Sequence, residues 1–300
     1  MVCSMIKIIV TVGILLFLSP LIEGVLRKFK ALVHSRLGPP LLQPYWDILK
    51  LLGKDDVRSR HAFLGELPSW VALAALLAAG LLVPLGTHAA FANGDLFLFI
   101  YLIGFASACC MLAGMDSGSP YGFLGTAREM MTSFVVEPVL FIALITAALK
   151  SHSFRFSDMA FYQRTAGVSI SMLIAGVSLL LAIQAQLSKF PFDSPEAEGE
   201  LMGGVFAEMS GPTFAMYRWG FIVKQLIFGL ILAQIFFPWP LGLTGIWAAV
   251  SQIVKVLLVA VLVGLVDAVN PRLRIDQAIV YYFGVILAAL VGLVFALVGA

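Results

Sequence analysis

Five carboxylates fall within one short stretch, KFPFDSPEAEGELMGGVFAEMSGP (189–212): Asp193, Glu196, Glu198, Glu200 and Glu208. Carboxylates this close cannot all ionise if protein surrounds them; their titrations couple, and a few protons are shared among several sites. That is the chemistry of a proton relay. The plainer reading is a solvated acidic helix start, with Asp193 or Ser194 as cap, Pro195 in the first turn, and the helix dipole favouring the glutamates. The apolar flanks, and LMGGVFA inside the stretch, argue for a segment packed within protein.

A second acidic element lies in GTAREMMTSFVVEPVL, where Glu129 follows Arg128 and Glu137 stands eight residues further on. Glu129 also suits the first turn of a helix capped by Thr126. Glu137 falls deep in an apolar run, where an ionisable side chain is costly and marks an ion path or its partner. Pro138 behind it frees the carbonyl of Phe134 and makes the spot more polar. Lys224 and Lys255 sit inside later apolar runs and Asp267 ends one of them. A lysine near the end of a span also snorkels to the interface, and that reading stays open for both.

Apolar helices must position these groups. The chain has 300 residues, 61% hydrophobic and 12% charged, with a mean hydropathy of +1.00. Each hydrocarbon crossing takes roughly 20 apolar residues, because backbone N–H and C=O groups must be satisfied within the segment. Eight stretches qualify, at about 5–25, 69–88, 96–115, 129–149, 168–188, 219–237, 244–267 and 277–298, within roughly ±4 residues. The expectation is an all-α polytopic membrane helical bundle with added cytoplasmic amphipathic helices. It forms a single transmembrane domain over 1–300, with a cytoplasmic docking loop at 26–68 and an acidic cytoplasmic loop at 189–218. The first span has no small-residue cleavage site and is expected to be retained.

Thirteen Lys and Arg residues fall on the side of the first long loop and four on the other, which predicts that loop cytoplasmic and both termini outside. Cys3, Cys109 and Cys110 form no C-x-x-C pair, and His34, His61, His88 and His152 form no helical pair. No glycine-rich phosphate loop follows a strand. The chain is therefore expected to carry no redox centre or cofactor of its own, no nucleotide chemistry and no nucleic-acid partner. RLGPPLLQPYWDILKLLGKDD, Arg36 to Asp56, combines a Gly-Pro-Pro turn with an amphipathic run and reads as a docking surface, whereas VNPRLRIDQA places Arg272, Arg274, Asp276 and Gln277 in the last loop. Positive-inside anchoring explains those arginines but not Asp276 and Gln277.

Together RLGPPLLQPYWDILKLLGK, GTAREMMTSFVVEP, KFPFDSPEAEGEL, FAEMSGPTFAMYRWG and NPRLRIDQ lie in order across almost the whole chain. They resemble the membrane subunit that joins the redox arm to the proton-pumping arm in respiratory complex I and in energy-converting, membrane-bound NiFe hydrogenases. The resemblance implies that the first and third cytoplasmic loops form a floor for soluble subunits, with Arg36, Gln43, Asp47, Lys50, Arg128, Arg272, Arg274 and Asp276 as docking residues. It implies a buried acidic channel through Glu137, Asp193, Glu196, Glu198, Glu200 and Glu208, to which Glu129, Lys224 and Lys255 add.

Gln186 stands where complex I forms carry a glutamate, and Trp219, Gly220, Lys224 and Gln225 fit the hydrogenase branch, as do Asp116 to Pro120 and Glu137-Pro138. The implied protein is a non-catalytic, ion-translocation-coupling subunit of a multisubunit hydrogenase in a prokaryotic cytoplasmic membrane. Its implied partners are the hydrogenase large and small subunits, an iron–sulfur subunit, antiporter-like membrane subunits and lipid. The NiFe site and the iron–sulfur clusters would lie in those partners. The alternatives are a quinone-binding membrane subunit of a complex I-type NADH dehydrogenase and a stand-alone secondary transporter. The latter would show an internal repeat, and none is evident between the halves.

Overall fold

The computed structural model describes residues 2–57, 63–84, 94–167, 169–237 and 246–299. Within them the chain is helical: α1 (Val2–Val33), α2 (Gln43–Leu52), α3 (Leu67–Leu82), α4 (Leu96–Asp116), α5 (Pro120–Ser151), α6 (Phe156–Ala166), α7 (Ile170–Gln186), α8 (Glu198–Leu201), α9 (Gly211–Ile231), α10 (Ile246–Val269) and α11 (Ile275–Val298). Six helices are long and apolar enough to cross a membrane, and the shorter apolar α3 and α7 complete the eight expected positions. At 1.5 Å per residue, α3 rises only about 24 Å, less than the roughly 30 Å of hydrocarbon, whereas α1 and α5 rise about 48 Å. Accordingly α1 continues to Val33, well into the segment from 26 onward expected as loop. Residues 58–62, within the expected docking loop, lie outside the described residues.

Four helices start with proline in the first turn, where a missing N–H costs nothing: α2, α3, α5 and α9. Pro20 lies inside α1 and removes the N–H that would bond the Leu16 carbonyl. The indole of Trp219 on α9 donates to that carbonyl at 3.2 Å, and the Tyr45 hydroxyl on α2 donates to the next one, on Phe17. The proline break thus becomes a joint between α1, α2 and α9.

The core is built around α9, whose residues Lys224 to Ile231 are all buried. Leu15, Leu76, Phe99, Leu144, Leu179 and Val263 from six other helices pack in the same cluster. A π-helical turn, Leu232–Phe236, follows α9 directly. α11 packs on α5 and α7 around Tyr282 and Val136, and the outer faces of α1 and α11 leave Phe17, Leu287 and Leu297 exposed, as lipid contact requires.

Candidate functional site

A cavity of about 540 Å³ lies where α1, α9 and α10 meet the acidic loop, and Glu23, Lys30, Lys189, Asp193, Glu196, Arg218, Asp267 and Arg272 line it with Phe190, Phe206, Phe214 and Phe221. Its charges are paired by side chains from distant elements. Asp267, 6% exposed, accepts from Lys30 Nζ at 2.8 Å and from the Phe190 N–H at 3.0 Å, which ties α10 and α1 to the start of the loop. Glu23, 5% exposed, faces Arg27 at 3.3 Å and Lys189 at 3.6 Å. Arg27 turns its other nitrogen to Asp47 of α2 at 2.7 Å, and Gln43 donates to the same carboxylate at 3.0 Å. Those two donors hold the Asp47 carboxyl below its ordinary range, against desolvation.

The loop carboxylates Asp193, Glu196, Glu200 and Glu208 do not form one cluster. Asp193 lines the cavity and pairs with Arg272 at 3.7 Å, and the Arg272 guanidinium also donates to the Asp193 carbonyl. Glu196 lines the cavity too; burial, then the charge of Asp193, pushes its carboxyl up to about 7, opposed by Arg218 and Lys189. Glu200 points outward and binds Arg128 at 2.8 Å, which lowers its pKa. Glu208 is exposed and lines a different crevice, against Asp56, Asp116 and Thr213 at the end of the docking loop. Glu198 opens α8.

Local backbone geometry explains the loop's path. Gly125 of α5 lies so close to the turn at Gly204 that a Cβ would sit 2.6 Å from the Val205 nitrogen. Gly211 adopts φ +53 and passes the Asp55 carbonyl, where a Cβ would approach to 2.8 Å. These close approaches, with reciprocal bonds between Ser210 and Val57 at 2.8 and 2.7 Å, pin the acidic loop between α5 and the docking loop.

Inside the bundle, Glu129, Lys224, Ser107, Cys110 and Tyr217 line one crevice. Lys224, 5% exposed, donates to Ser107 Oγ at 3.4 Å and lies 5.9 Å above the Phe221 ring. It acts electrostatically on both Glu129 and Glu137. Glu137 faces Gly104 of α4, where a Cβ would lie 3.7 Å from its carboxylate. Phe221 borders both this crevice and the large cavity, and Glu129 and Glu196 also interact electrostatically. The groups therefore run in series from the cavity to Glu129 and Lys224, then Glu137.

Lys255 does not join this series. It donates to the Ala233 and Phe237 carbonyls at 3.2 and 3.3 Å, at the π-turn, and lies twelve residues, about 18 Å, along α10 from Asp267. Among the docking candidates, Arg36, Lys50, Arg274 and Asp276 are exposed. Arg128 and Arg272 serve the acidic loop instead, by the bonds given above. Gln186 is buried at the end of α7.

Sequence reasoning did not single out Glu23, Lys30, Lys189 and Arg218. A carboxylate near the end of the first apolar span, with Arg27 one turn on, was the available signal for Glu23. Among the described residues no group of three His, Cys, Asp or Glu side chains could hold a metal ion.

This helical membrane bundle, with its charged cavity and partly buried acidic series, belongs with the polytopic membrane components of complex I-like respiratory complexes, as its relatives establish. Residues 6–298 match the family model described as NADH dehydrogenase, and the chain belongs to that family. It is 32% identical to formate hydrogenlyase subunit 4 of Escherichia coli (strain K12) over 88% of this chain and 89% of that one. With hydrogenase-4 component C of the same organism it shares 33% over 87% and 86%. It is 31% identical to a subunit of the NADH-quinone oxidoreductase of Brevibacillus brevis over 84% and 78%. A chain of the membrane-bound sulfane sulfur reductase, an archaeal respiratory membrane complex, superposes with a TM-score of 0.90 at 28% identity, covering 98% of this chain and 99% of that one.

Proposed function

We propose that this chain is the coupling subunit of an energy-converting hydrogenase in a prokaryotic cytoplasmic membrane, with both termini outside. It docks the soluble redox module on α2 and the first loop and relays charge from the cavity to Glu137. Partner subunits supply the NiFe site and iron–sulfur clusters, and antiporter-like subunits move the bulk of the ions, H⁺ or Na⁺.

The observation that carries the relay is the series Glu196, Glu129, Lys224, Glu137, which leads from a polar cavity into a span. Glu196, held near pH 7, is the member that takes up or loses a proton in the working range. A charge change beside it alters the balance among Asp193, Arg218 and Lys189. Lys224 passes that change inward, since it is buried and interacts electrostatically with both Glu129 and Glu137. The network Glu23–Arg27–Asp47 connects the cavity rim to α2, so a partner seated on α2 acts on the same charges.

The two E. coli relatives named as hydrogenase components favour the hydrogenase branch, as does the presence of Trp219, Gly220, Lys224 and Gln225 in the order that branch carries. A second reading, quinone binding, is favoured by the phenylalanines on the cavity wall. Purification of the assembly decides between them: nickel content and H₂ turnover with a low-potential carrier are expected, without sensitivity to quinone-site inhibitors. A nickel-free complex reducing quinone rejects the branch, and one reducing polysulfide assigns the chain to a sulfur reductase. For the relay, Glu137→Gln keeps shape and hydrogen bonds but cannot exchange a proton. The variant complex should assemble and turn over while pumping fewer ions per electron in vesicles; wild-type stoichiometry refutes the relay.

A further inference from the structure

The last two helices pack on different neighbours: α10 on α1 and α9, α11 on α5 and α7. At the end of the bundle that carries the acidic loop they part around a second cavity, of about 320 Å³. Its walls are apolar, with Leu180 and Leu181 from α7, Val263 and Val266 from α10, Phe192 from the acidic loop and Leu273 from the last loop. Neither the charged cavity nor the crevice at Lys224 uses any of these side chains.

The polar groups around this space are spent on bracing it. Gln184 donates to the Phe190 carbonyl at 2.9 Å and to the Val263 carbonyl at 3.1 Å, which clamps α7, α10 and the acidic loop together. The Leu273 N–H donates to the Pro191 carbonyl at 3.0 Å and joins the two loops. Tyr282 donates to the Leu181 carbonyl at 2.9 Å, and the Phe192 ring lies 4.7 Å from Tyr282 and 5.4 Å from Tyr281. The recess is thus held at its width by its own walls.

An apolar space of this size is costly when empty, because its lining side chains forfeit packing contacts, and water gains little there without polar partners. Its volume falls at the lower end of the range for small-molecule sites. Hydrocarbon lies beside it: Leu262 on the α10 rim, and Val280 and Tyr281 on the α11 side, are exposed. Val263 and Leu180 stand within the last two turns of α10 and α7, so the recess runs roughly 10 Å inward from the helix ends. At its outer end Asn270 lines it and Arg274 follows Leu273, both exposed. An apolar shaft with a cationic mouth fits an amphiphile whose tail points inward and whose anionic group stays at the loops. Asp276, in the first turn of α11, offsets the charge of Arg274, so the mouth suits a single phosphate diester and not a more acidic headgroup.

We propose that one phospholipid of the cytoplasmic leaflet seats an acyl chain in this recess, with its phosphate beside Arg274, and props the acidic loop against α7 and α10. The wall is shared: Pro191 and Val266 face the lipid, and their neighbours Phe190 and Asp267 line the charged cavity. The site stands apart from the relay; only the choice of leaflet rests on the orientation proposed above.

Photolabelling reads the site. The assembled complex is reconstituted in nanodiscs of phosphatidylethanolamine containing a fraction with a diazirine on the acyl chain, returned to detergent, washed and irradiated. Label is expected at Val263, 2% exposed, several-fold above that at Leu287, which is 65% exposed on the outer face of α11. Equal label, or more at Leu287, means loosely held surface lipid and overturns the site. Val266→Phe fills the recess and should lower the label at Val263 several-fold in an intact complex; Leu181→Phe, from the opposite wall, gives the same reading should the first variant fail to assemble. Label that survives the filling variant overturns the placement of the chain. Arg274→Gln should weaken retention through the wash, and unchanged retention overturns the phosphate contact. The occupant is identified by p-benzoylphenylalanine placed at Leu262 in cells: a crosslink to phospholipid supports the proposal, and one to a partner polypeptide or to a quinone overturns it.

Discussion

Glu196→Gln removes one proton-binding group from the cavity and leaves a side chain of the same shape. The wild-type carboxyl has a folded-state value of about 7 against an ordinary 4.5. Below pH 4.5 it is protonated in both states and contributes no difference. Between 4.5 and 7 the unfolded chain releases the proton while the folded chain keeps it, so stability falls as pH rises. Above 7 both states are ionised and the loss is constant, about 3 kcal/mol at 1.36 kcal/mol per tenfold change in proton affinity.

The variant lacks this loss, so its advantage over wild type should be nil below pH 4.5, grow from there to 7 and stay level above. Thermal unfolding of the purified complex across pH 4–9 measures that difference. Infrared titration should find a protonated-carboxyl band that disappears near pH 7 in wild type and is missing from the variant. Arg218→Met, which removes a cation that opposes the shift, should move the band to higher pH. A band titrating near 4.5, or a variant whose advantage does not change with pH, would refute the buried, charge-coupled assignment of Glu196.

Asp267→Ala strips both Lys30 and the Phe190 N–H of their acceptor and should cost about 3 kcal/mol in chemical unfolding; Asp267→Leu with Lys30→Met should recover most of it, and a double variant as weak as the single one counts against the pair. Asp116→Ala removes the acceptor of three backbone N–H groups, on Phe63, Leu64 and Gly65 at 2.7, 2.9 and 3.3 Å, and should cost about 2 kcal/mol. Proteolysis between α2 and α3 should accelerate accordingly, and an unchanged rate removes Asp116 from the loop's anchorage. For topology, a cysteine at Leu37, which is fully exposed, should react with an impermeant thiol reagent from the cytoplasmic face and one at Ser157 should not. The reverse pattern inverts the orientation and the docking role with it.

Hydropathy made the eight helical positions legible because spanning length and apolar composition are local properties. Helix ends were less so: α1 runs to Val33 because Glu23, Arg27 and Lys30 find partners on its polar flank, and no hydropathy window detects those. The amphipathic α2 was readable from its period, and the family from motifs whose residue types occur in order. The carboxylates at 193–208, Glu129, Glu137 and Lys224 were identifiable as costly groups in apolar surroundings.

What the sequence could not divide was that acidic set. Glu196 and Asp193 face the cavity, Glu200 faces outward to Arg128 and Glu208 faces the docking loop, because each orientation depends on a partner far along the chain. Arg128 is 72 residues from Glu200, and Lys30 is 237 from Asp267. The same holds for Lys255, set at the π-turn by carbonyls 18 and 22 residues back. Composition and period fix which residues must leave water. Only helix packing decides which charges then meet, since the energy of a buried charge is set by partners within a few ångströms and sequence distance carries no information about them.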